Sequence, residues 1–339
     1  MPKVVRGNRQ VRTEDFDRPR RRSRPRTKHR PDYSNAPVAR VITIDRGRYT
    51  CVLDDVTIVA VKARQLGRGA VIVGDLVRVV GDTTGAPGSL ARIVEVCERK
   101  SVLRRTADDD DPYERPIVAN ADQLMVVCAL ADPPPRFGMI DRILVAGYEA
   151  GLTPIVCLTK SDLAPADELL AHYEPLGIEI ATVGWVDPVE MLFEKTGLDH
   201  LRGLLSNRVT VLVGHSGVGK STLVNALIPT ANRATGMVNE VTGRGRHTST
   251  SAIALKLPEG GWLIDTPGVR SFGLSHVSAP QVLQAFPDLA EAADDCPRGC
   301  THGNTEPECG LDSAVAAGNI SPERLESFRR IELVSKTGG

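Results

Sequence analysis

The sequence predicts a multidomain chain with a small N-terminal β-barrel, a central and mainly parallel α/β domain, and a C-terminal helical segment gathered round a metal ion. Three observations predict it. Five short alternating apolar runs lie between residues 38 and 96. Continuous apolar strands alternate with helical periods from 121 to 264, and a Gly-rich turn joins one of them to a helix. Near the end, three cysteines and a histidine follow the spacing C-x3-C-x-H-x6-C.

The bulk properties set the frame. A length of 339 residues, 41% hydrophobic and 25% charged, suits two or three ordinary globular cores. No 18 apolar residues run together, so no membrane span is expected. The basic start is not followed by an apolar segment, which argues against a secretory signal. A formal net charge of zero conceals a split. Residues 1–30 carry 12 Lys/Arg against 3 Asp/Glu, leaving 30 basic and 39 acidic residues elsewhere. The tail, residues 1–36, cannot bury a core and is expected to be a disordered basic arm. It is either a grip on nucleic-acid phosphates, with steep salt dependence, or a solubilising leader. Cys51, Cys97, Cys128 and Cys157 stand singly in apolar runs and read as small buried hydrophobes, which suits a reducing cytoplasm.

Residues 37–105 hold the five runs, at 38–44, 49–53, 58–64, 75–80 and 90–96, parted by Gly- and Asp-rich turns. Five strands in so short a span predict an OB-fold barrel. Lys62, Arg64, Arg68, Arg78, Arg92, Arg99, Lys100, Arg104 and Arg105 give it a basic cast. RNA binding along one face is one reading and a purely structural barrel the other, since Tyr49 is the only aromatic available for stacking.

Residues 106–116, with four consecutive aspartates, read as a linker. The next domain, 117–276, has strands at 121–130, 154–158, 209–213 and 262–264 and a helical period over 139–150. Buried strands alternating with helices imply a mainly parallel sheet. After the strand at 209–213 comes Gly214-His215-Ser216-Gly217-Val218-Gly219-Lys220-Ser221-Thr222, then a helix. GxxxxGKS in that context is a phosphate-binding loop. Its glycines let N–H groups converge on phosphates, and the helix start adds positive potential. Lys220 would reach the β- and γ-phosphates, and Ser221 would ligate Mg2+. Asp265-Thr-Pro-Gly268 closes the strand at 262–264. Asp265 can hold Mg2+ through water, and the Gly268 N–H can face the γ-phosphate.

Thr159-Lys160-Ser161-Asp162 ends the strand at 154–158. Guanine, unlike adenine, offers two N–H donors on its pairing edge, and one carboxylate can accept both. Asp162 is the candidate, with the Lys160 stem over ring and ribose. Thr159 stands where GTPases usually carry Asn. In ordinary GTPases this motif follows the Asp-Thr-Pro-Gly turn; here it precedes the phosphate loop. Such a cyclic reordering keeps sheet and pocket and moves the chain ends, so the segment after Asp265 runs straight into the C-terminal domain, 277–335. There Cys296, Cys300, His302 and Cys309 supply three thiolates and one imidazole, a closed tetrahedral set that suits structural zinc. Flanking segments 280–293 and 322–333 read as helices, with Arg324, Arg329 and Arg330 as further phosphate contacts or plain surface charge.

In this order of barrel, Thr-Lys-Ser-Asp, Gly-His-Ser-Gly-Val-Gly-Lys-Ser and Cys3His cluster, residues 38 to about 335 resemble the circularly permuted, small-ribosomal-subunit-dependent GTPases, the small ribosomal subunit biogenesis GTPase A family. The resemblance implies a P-loop GTPase with circularly permuted motif order that hydrolyses GTP to GDP and phosphate. It further implies stimulation by the small ribosomal subunit, a place in late subunit maturation through rRNA binding, Mg2+ and one structural Zn2+, and a cytoplasmic, membrane-free monomer. Residues 243–250, with His247 and Thr248, look like the first switch, and Thr248 would join Ser221 and Asp265 at Mg2+. Two features depart from the family: Thr159, and 181–185 in place of a Ser-Ala loop behind the base. The arginine tail lies outside its pattern. Val269 occupies the position where many GTPases carry a water-orienting Gln, so unassisted turnover should be slow. His247 either moves onto the attacking water when RNA docks or contacts RNA and does no chemistry. The alternatives to an enzyme are an RNA-binding factor that merely holds GTP, and an ATP-dependent remodeller sharing only the phosphate loop.

Overall fold

A computed structural model describes residues 32–67, 69–105, 114–187, 192–231, 252–267 and 279–337. The period-two alternation of the first segment becomes β1 (Val38–Asp45), β2 (Arg48–Leu53), β3 (Val56–Lys62), β4 (Leu76–Gly81) and β5 (Ala91–Val96). They close in the order β1-β2-β3-β5-β4, with β4 returning to β1 and β3 running parallel to β5. Inward-facing Val41, Cys51, Ile58, Val77 and Ile93 fill the interior. Tyr49 is buried with them at 6% exposure, so the ring that could have stacked on a base serves the core instead.

The basic residues of the barrel divide by environment. Arg64, Arg92 and Lys100 are exposed, whereas Arg99 grips the fully buried Asp75 through Nε at 2.7 Å and Nη2 at 2.8 Å. A second Nη2 bond reaches the Ala70 carbonyl. Arg68 lies outside the described residues. Arg99→Ala would strand the Asp75 carboxylate in the barrel, and the cost should be about 3 kcal/mol or more, read as a lowered denaturation midpoint.

Two short strands, β6 (Val102–Arg105) and β7 (Arg115–Ala119), pair antiparallel on either side of the Asp-rich segment. Four residues were too few to announce β6 in the sequence. The ribbon joins barrel to sheet. Ala119 N–H donates to the Val73 carbonyl at 2.9 Å, and the Asn120 amide bridges Lys100 N–H and the Gly74 carbonyl. Gly74, at φ +90°, is required there, because a Cβ would overlap the Ala119 carbonyl oxygen.

The central sheet contains β8 (Gln123–Ala129), β9 (Thr153–Thr159), β10 (Glu179–Val183), β13 (Arg208–Val213), β14 (Ile253–Lys256) and β15 (Gly261–Asp265). Its order is β10-β9-β8-β13-β15-β14, and every neighbouring pair is parallel except the edge pair β14–β15. Parallel pairing brings the carboxyl ends of β9, β13 and β15 to one edge. A small ribbon, β11 (Trp185–Asp187) with β12 (Leu192–Phe193), extends beyond β10. Helices α1 (Phe137–Glu149) and α2 (Asp167–Tyr173) bury Ile143, Leu144 and Leu169 in one core cluster. Helices α3 (Lys195–Leu205) and α4 (Lys220–Leu227) bury Leu201, Leu205, Leu223 and Leu227 in the other.

The last segment forms α5 (Ala279–Gln284), α6 (Pro287–Ala293), α7 (Gly310–Ala316) and α8 (Pro322–Thr337). The single helix expected over 280–293 is two. Pro287 starts the second and holds Phe286 in an extended conformation, φ −119° and ψ 85°. Phe286 then points into the core between Tyr148 of α1 and Phe328 of α8, at centroid distances of 4.7 and 5.4 Å. The three arginines read as phosphate contacts or plain surface charge each meet partners within the protein. Arg324 forks onto Asp288, Arg329 holds Asp312 and the His302 carbonyl, and Arg330 faces buried Asp141 at 3.5 Å.

Candidate active site and metal centre

The phosphate loop follows β13 directly. Gly217 and Gly219 take φ of +85° and +92°, which lets 214–219 curl back before α4 begins at Lys220. Lys220 bends over its own loop, donating to the Gly214 carbonyl at 2.7 Å and the His215 carbonyl at 2.8 Å. Burial pulls its pKa below the usual lysine value, while nearby Asp265 works in the opposite sense. Ser221 is the second residue of α4 and is exposed; Ser216 and Gly217 are exposed at the loop's tip.

Asp265 ends β15, next to β13. Burial pushes its carboxyl up to about 6, with Lys220 opposing, and its Oδ1 is buried without a hydrogen-bond partner. A buried carboxylate oxygen without a partner is suited to a cation. With the Ser221 hydroxyl close in sequence to Lys220, the donors are hard oxygens, and the residues present fit Mg2+. Thr266, next along, is fixed by a 2.5 Å bond from Oγ1 to the Leu212 carbonyl. Gly268, Val269, His247 and Thr248 lie outside the described residues.

Residues 159–162, expected to read the base, end β9 beside the same loop. Thr159 is 4% exposed, and its Oγ1 donates to the Val218 carbonyl in the phosphate loop at 2.6 Å. The hydroxyl thus stitches β9 to the loop, which its position in the motif did not foretell. Lys160, at φ +60°, reaches the Asp132 carbonyl with its Nζ. Asp162 is exposed, and its Oδ1 accepts the Trp185 N–H at 2.9 Å. Ser161 N–H bonds to the Val183 carbonyl at 3.3 Å. The segment 181–185 therefore does stand behind the motif, although its residues are not Ser-Ala. The Asp132 and Trp185 contacts have no signature in the sequence, because both partners are backbone groups far from the motif along the chain.

Cys296, Cys300, His302 and Cys309 converge with all ligand atoms within 4.8 Å of one another. Cys296 Sγ lies 3.5 Å from His302 Nδ1 and 4.0 Å from Cys309 Sγ, and Cys300 Sγ lies 3.6 Å from the same nitrogen. A tetrahedron of zinc–ligand bonds about 2.0–2.3 Å long has edges of roughly 3.5–3.8 Å, so the four atoms fit a zinc ion. Burial, with Cys309 adding to it, raises the Cys296 thiol, and a cation reverses that balance. Gly310 N–H donates to Cys296 Sγ at 3.1 Å, and Arg329 holds the His302 carbonyl at 2.8 Å.

Known proteins share the family pattern and the fold. The RsgA GTPase family pattern matches residues 96–275. The chain is 39% identical over 246 residues to "Small ribosomal subunit biogenesis GTPase RsgA" of Marinobacter nauticus, covering 70% of this chain and 68% of the relative. It is 41% identical over 246 residues to the protein of the same name from Pseudomonas aeruginosa LESB58, covering 70% and 69%. Among solved structures, YjeQ from Thermotoga maritima superposes with a TM-score of 0.62 at 25% identity, over 88% of this chain and 98% of that one. YloQ, titled a circularly permuted GTPase, superposes at 0.63 over 93% and 98%; at 24% identity it speaks for the fold alone.

Proposed function

The chain belongs to the RsgA GTPase family, and from that premise we propose that it hydrolyses GTP in response to the small ribosomal subunit, binding rRNA late in the maturation of that subunit. GTP hydrolysis itself is the activity of the family. The observation that supports the reading is the bond from Thr159 to Val218, which ties the end of β9 to the loop after β13 although the chain encodes the two expected motifs in reversed order. The Asp162 carboxylate accepts the two donors of the guanine edge, with Lys160 alongside. The loop N–H groups and Lys220 neutralise the β- and γ-phosphates. Mg2+, held by Ser221, Thr248 and Asp265, would supply charge compensation at the same oxygens. Water attacks the γ-phosphorus, the bond to the bridging oxygen breaks, and GDP leaves with that electron pair.

The relatives carry the small subunit in their names, and exposed Arg64, Arg92 and Lys100 on the barrel suit RNA phosphates. Tyr49 is buried, so contact through charge and shape fits the barrel better than stacking. One Zn2+ at the Cys3His cluster ties the C-terminal helices. The protein acts as a cytoplasmic monomer in this reading. Among the described residues no helix is long and apolar enough to cross a membrane. Val269 cannot orient water, so the missing help comes with the subunit, and His247 is the group that moves onto the water.

Phosphate release by the protein alone, with mature subunits and with immature subunits, at two salt concentrations, tests this. Subunits should raise the rate by on the order of tenfold or more, with the effect falling as salt rises. A rate untouched by subunits that demonstrably bind would remove the regulatory claim. His247→Ala should lose the stimulation while docking persists; full stimulation would assign His247 to RNA contact.

A further inference from the structure

We propose that Arg136 is a further catalytic residue of this GTPase, supplied in cis, whose guanidinium neutralises the charge that gathers on the γ-phosphate as it passes to water. The inference deepens the hydrolase reading above and rests on it. Arg136 is the N-cap of α1, with φ −119° and ψ 90°. For the helix it is the wrong residue. Helix starts favour Ser, Thr, Asp or Asn, whose oxygens accept from the free N–H groups, and arginine has no acceptor to offer. Its charge also opposes the positive end of the helix dipole. The first turn holds no acid to compensate, and the side chain makes no cap bond. Arg136 is exposed and forms no side-chain hydrogen bond or ion pair among the described residues. A local rule broken without a structural return is expected where a residue serves function.

Its neighbours are those of the nucleotide site. The Lys160 ammonium bonds to the Asp132 carbonyl, and a Cβ on Gly217, at the tip of the phosphate loop, would lie 3.8 Å from Pro133 Cδ. The segment that leads to Arg136 is thus clasped at both expected motifs. The Arg136 N–H reaches the Cys128 sulfur. Thr159 Oγ1 lies 3.3 Å from the Cys128 carbonyl oxygen and is the hydroxyl that bonds to Val218 of the loop. Arg136 also lines a cavity of about 340 Å3, together with Ile140 and Ile143 of α1 and with Gly214 and His215 of the phosphate loop. Apolar walls screen charge poorly, so a cation at such a cavity acts strongly on anionic oxygens held at the loop.

The chemistry calls for a charge there. Water adds to the γ-phosphorus and the bond to the bridging oxygen breaks, leaving its electron pair on GDP. One proton of the water stays with the phosphate and the other passes to solvent. Negative charge shifts among the γ- and bridging oxygens along the way, and the planar fork of an arginine can pair with two of them at once. Lys220 comes from α4 and Arg136 from α1, helices that pack in the two separate core clusters, so the two cations would flank the phosphates. Val269 contributes no such group.

Single-turnover hydrolysis of GTP by the protein alone with Mg2+ tests the assignment, beside equilibrium binding of GDP with and without fluoroaluminate, which mimics the phosphoryl group in transfer. Arg136→Ala should slow hydrolysis by on the order of tenfold or more. GDP alone should bind as it does to the parent, since it lacks the group that Arg136 meets. The affinity gained with fluoroaluminate should fall by a factor similar to the rate. Arg136→Lys should recover part of the rate, restoring the charge without the fork. Arg136→Gln decides if the alanine variant lacks a cooperative melt. A folded variant that hydrolyses GTP at the parent's rate overturns the proposal. So does one that loses rate and GDP affinity in equal measure, because Arg136 would then serve binding alone. A parent that hydrolyses no GTP overturns the hydrolase reading itself, and shows it before any variant is made.

Discussion

Lys220→Ala will lower single-turnover GTP hydrolysis by on the order of a thousandfold or more, a loss of the size seen when a fixed positive donor is taken from a developing phosphoryl charge. The ammonium sits on the carbonyls of Gly214 and His215 in a site from which water is largely excluded, and burial already disfavours its charge. In such surroundings a fixed positive charge is worth far more than it is in water. Phosphate oxygens arriving at the loop offer Lys220 a stronger partner than two carbonyls, and the stronger pairing forms as charge develops on the γ-phosphate. The fold should survive the change, because the Lys220 ammonium bonds to carbonyls of its own loop and ties no two strands together. Phosphate release after rapid mixing measures the effect. A variant hydrolysing GTP within tenfold of the parent would show that some other cation carries the transition-state charge.

Cys309→Ala should remove the zinc proposed for the C-terminal cluster and unfold the helices round it. The segment 287–316 has little core of its own: Leu289, Leu311 and Cys309 are its fully buried side chains, and the cluster lies between α6 and α7. Zinc binding to such a set contributes on the order of 10 kcal/mol to folding, more than those side chains supply by burial. The consequence should spread, because α8 packs Phe328 against Phe286, and Phe286 against Tyr148 of the central domain. Metal analysis should give one zinc per parent chain and none in the variant. Melting should show an early transition that chelation of the parent reproduces. A variant without zinc that melts like the parent would make the cluster a set of idle thiols.

How much of this could be read from the sequence depends on the range of the forces involved. The barrel strands, the buried strands of the sheet and the phosphate loop were legible because alternation, apolar runs and glycine spacing are local signals. The break at Pro287 was legible in principle, yet the helical period across 280–293 outweighed it. Contacts of side chains with backbone groups remote along the chain were not legible. Thr159 bonding to Val218, Lys160 to Asp132, and Trp185 to Asp162 depend on the order of strands in the sheet, and no residue type in the motif specifies that order. The fate of the arginines was hidden for the same reason. Arg99, Arg324, Arg329 and Arg330 look like surface charge until their partners Asp75, Asp288, Asp312 and Asp141 are placed beside them.

That the reordered motifs make one pocket is the central proposal, and competition between GDP and ADP in the presence of Mg2+, for the parent and for Asp162→Ala, tests it most directly. The parent should prefer GDP by on the order of a hundredfold or more, and the variant should lose most of that preference while keeping its weaker, phosphate-based affinity for both. Equal binding of GDP and ADP by the parent would contradict it, since a nucleotide held at Lys220 would then lie beyond the reach of Asp162.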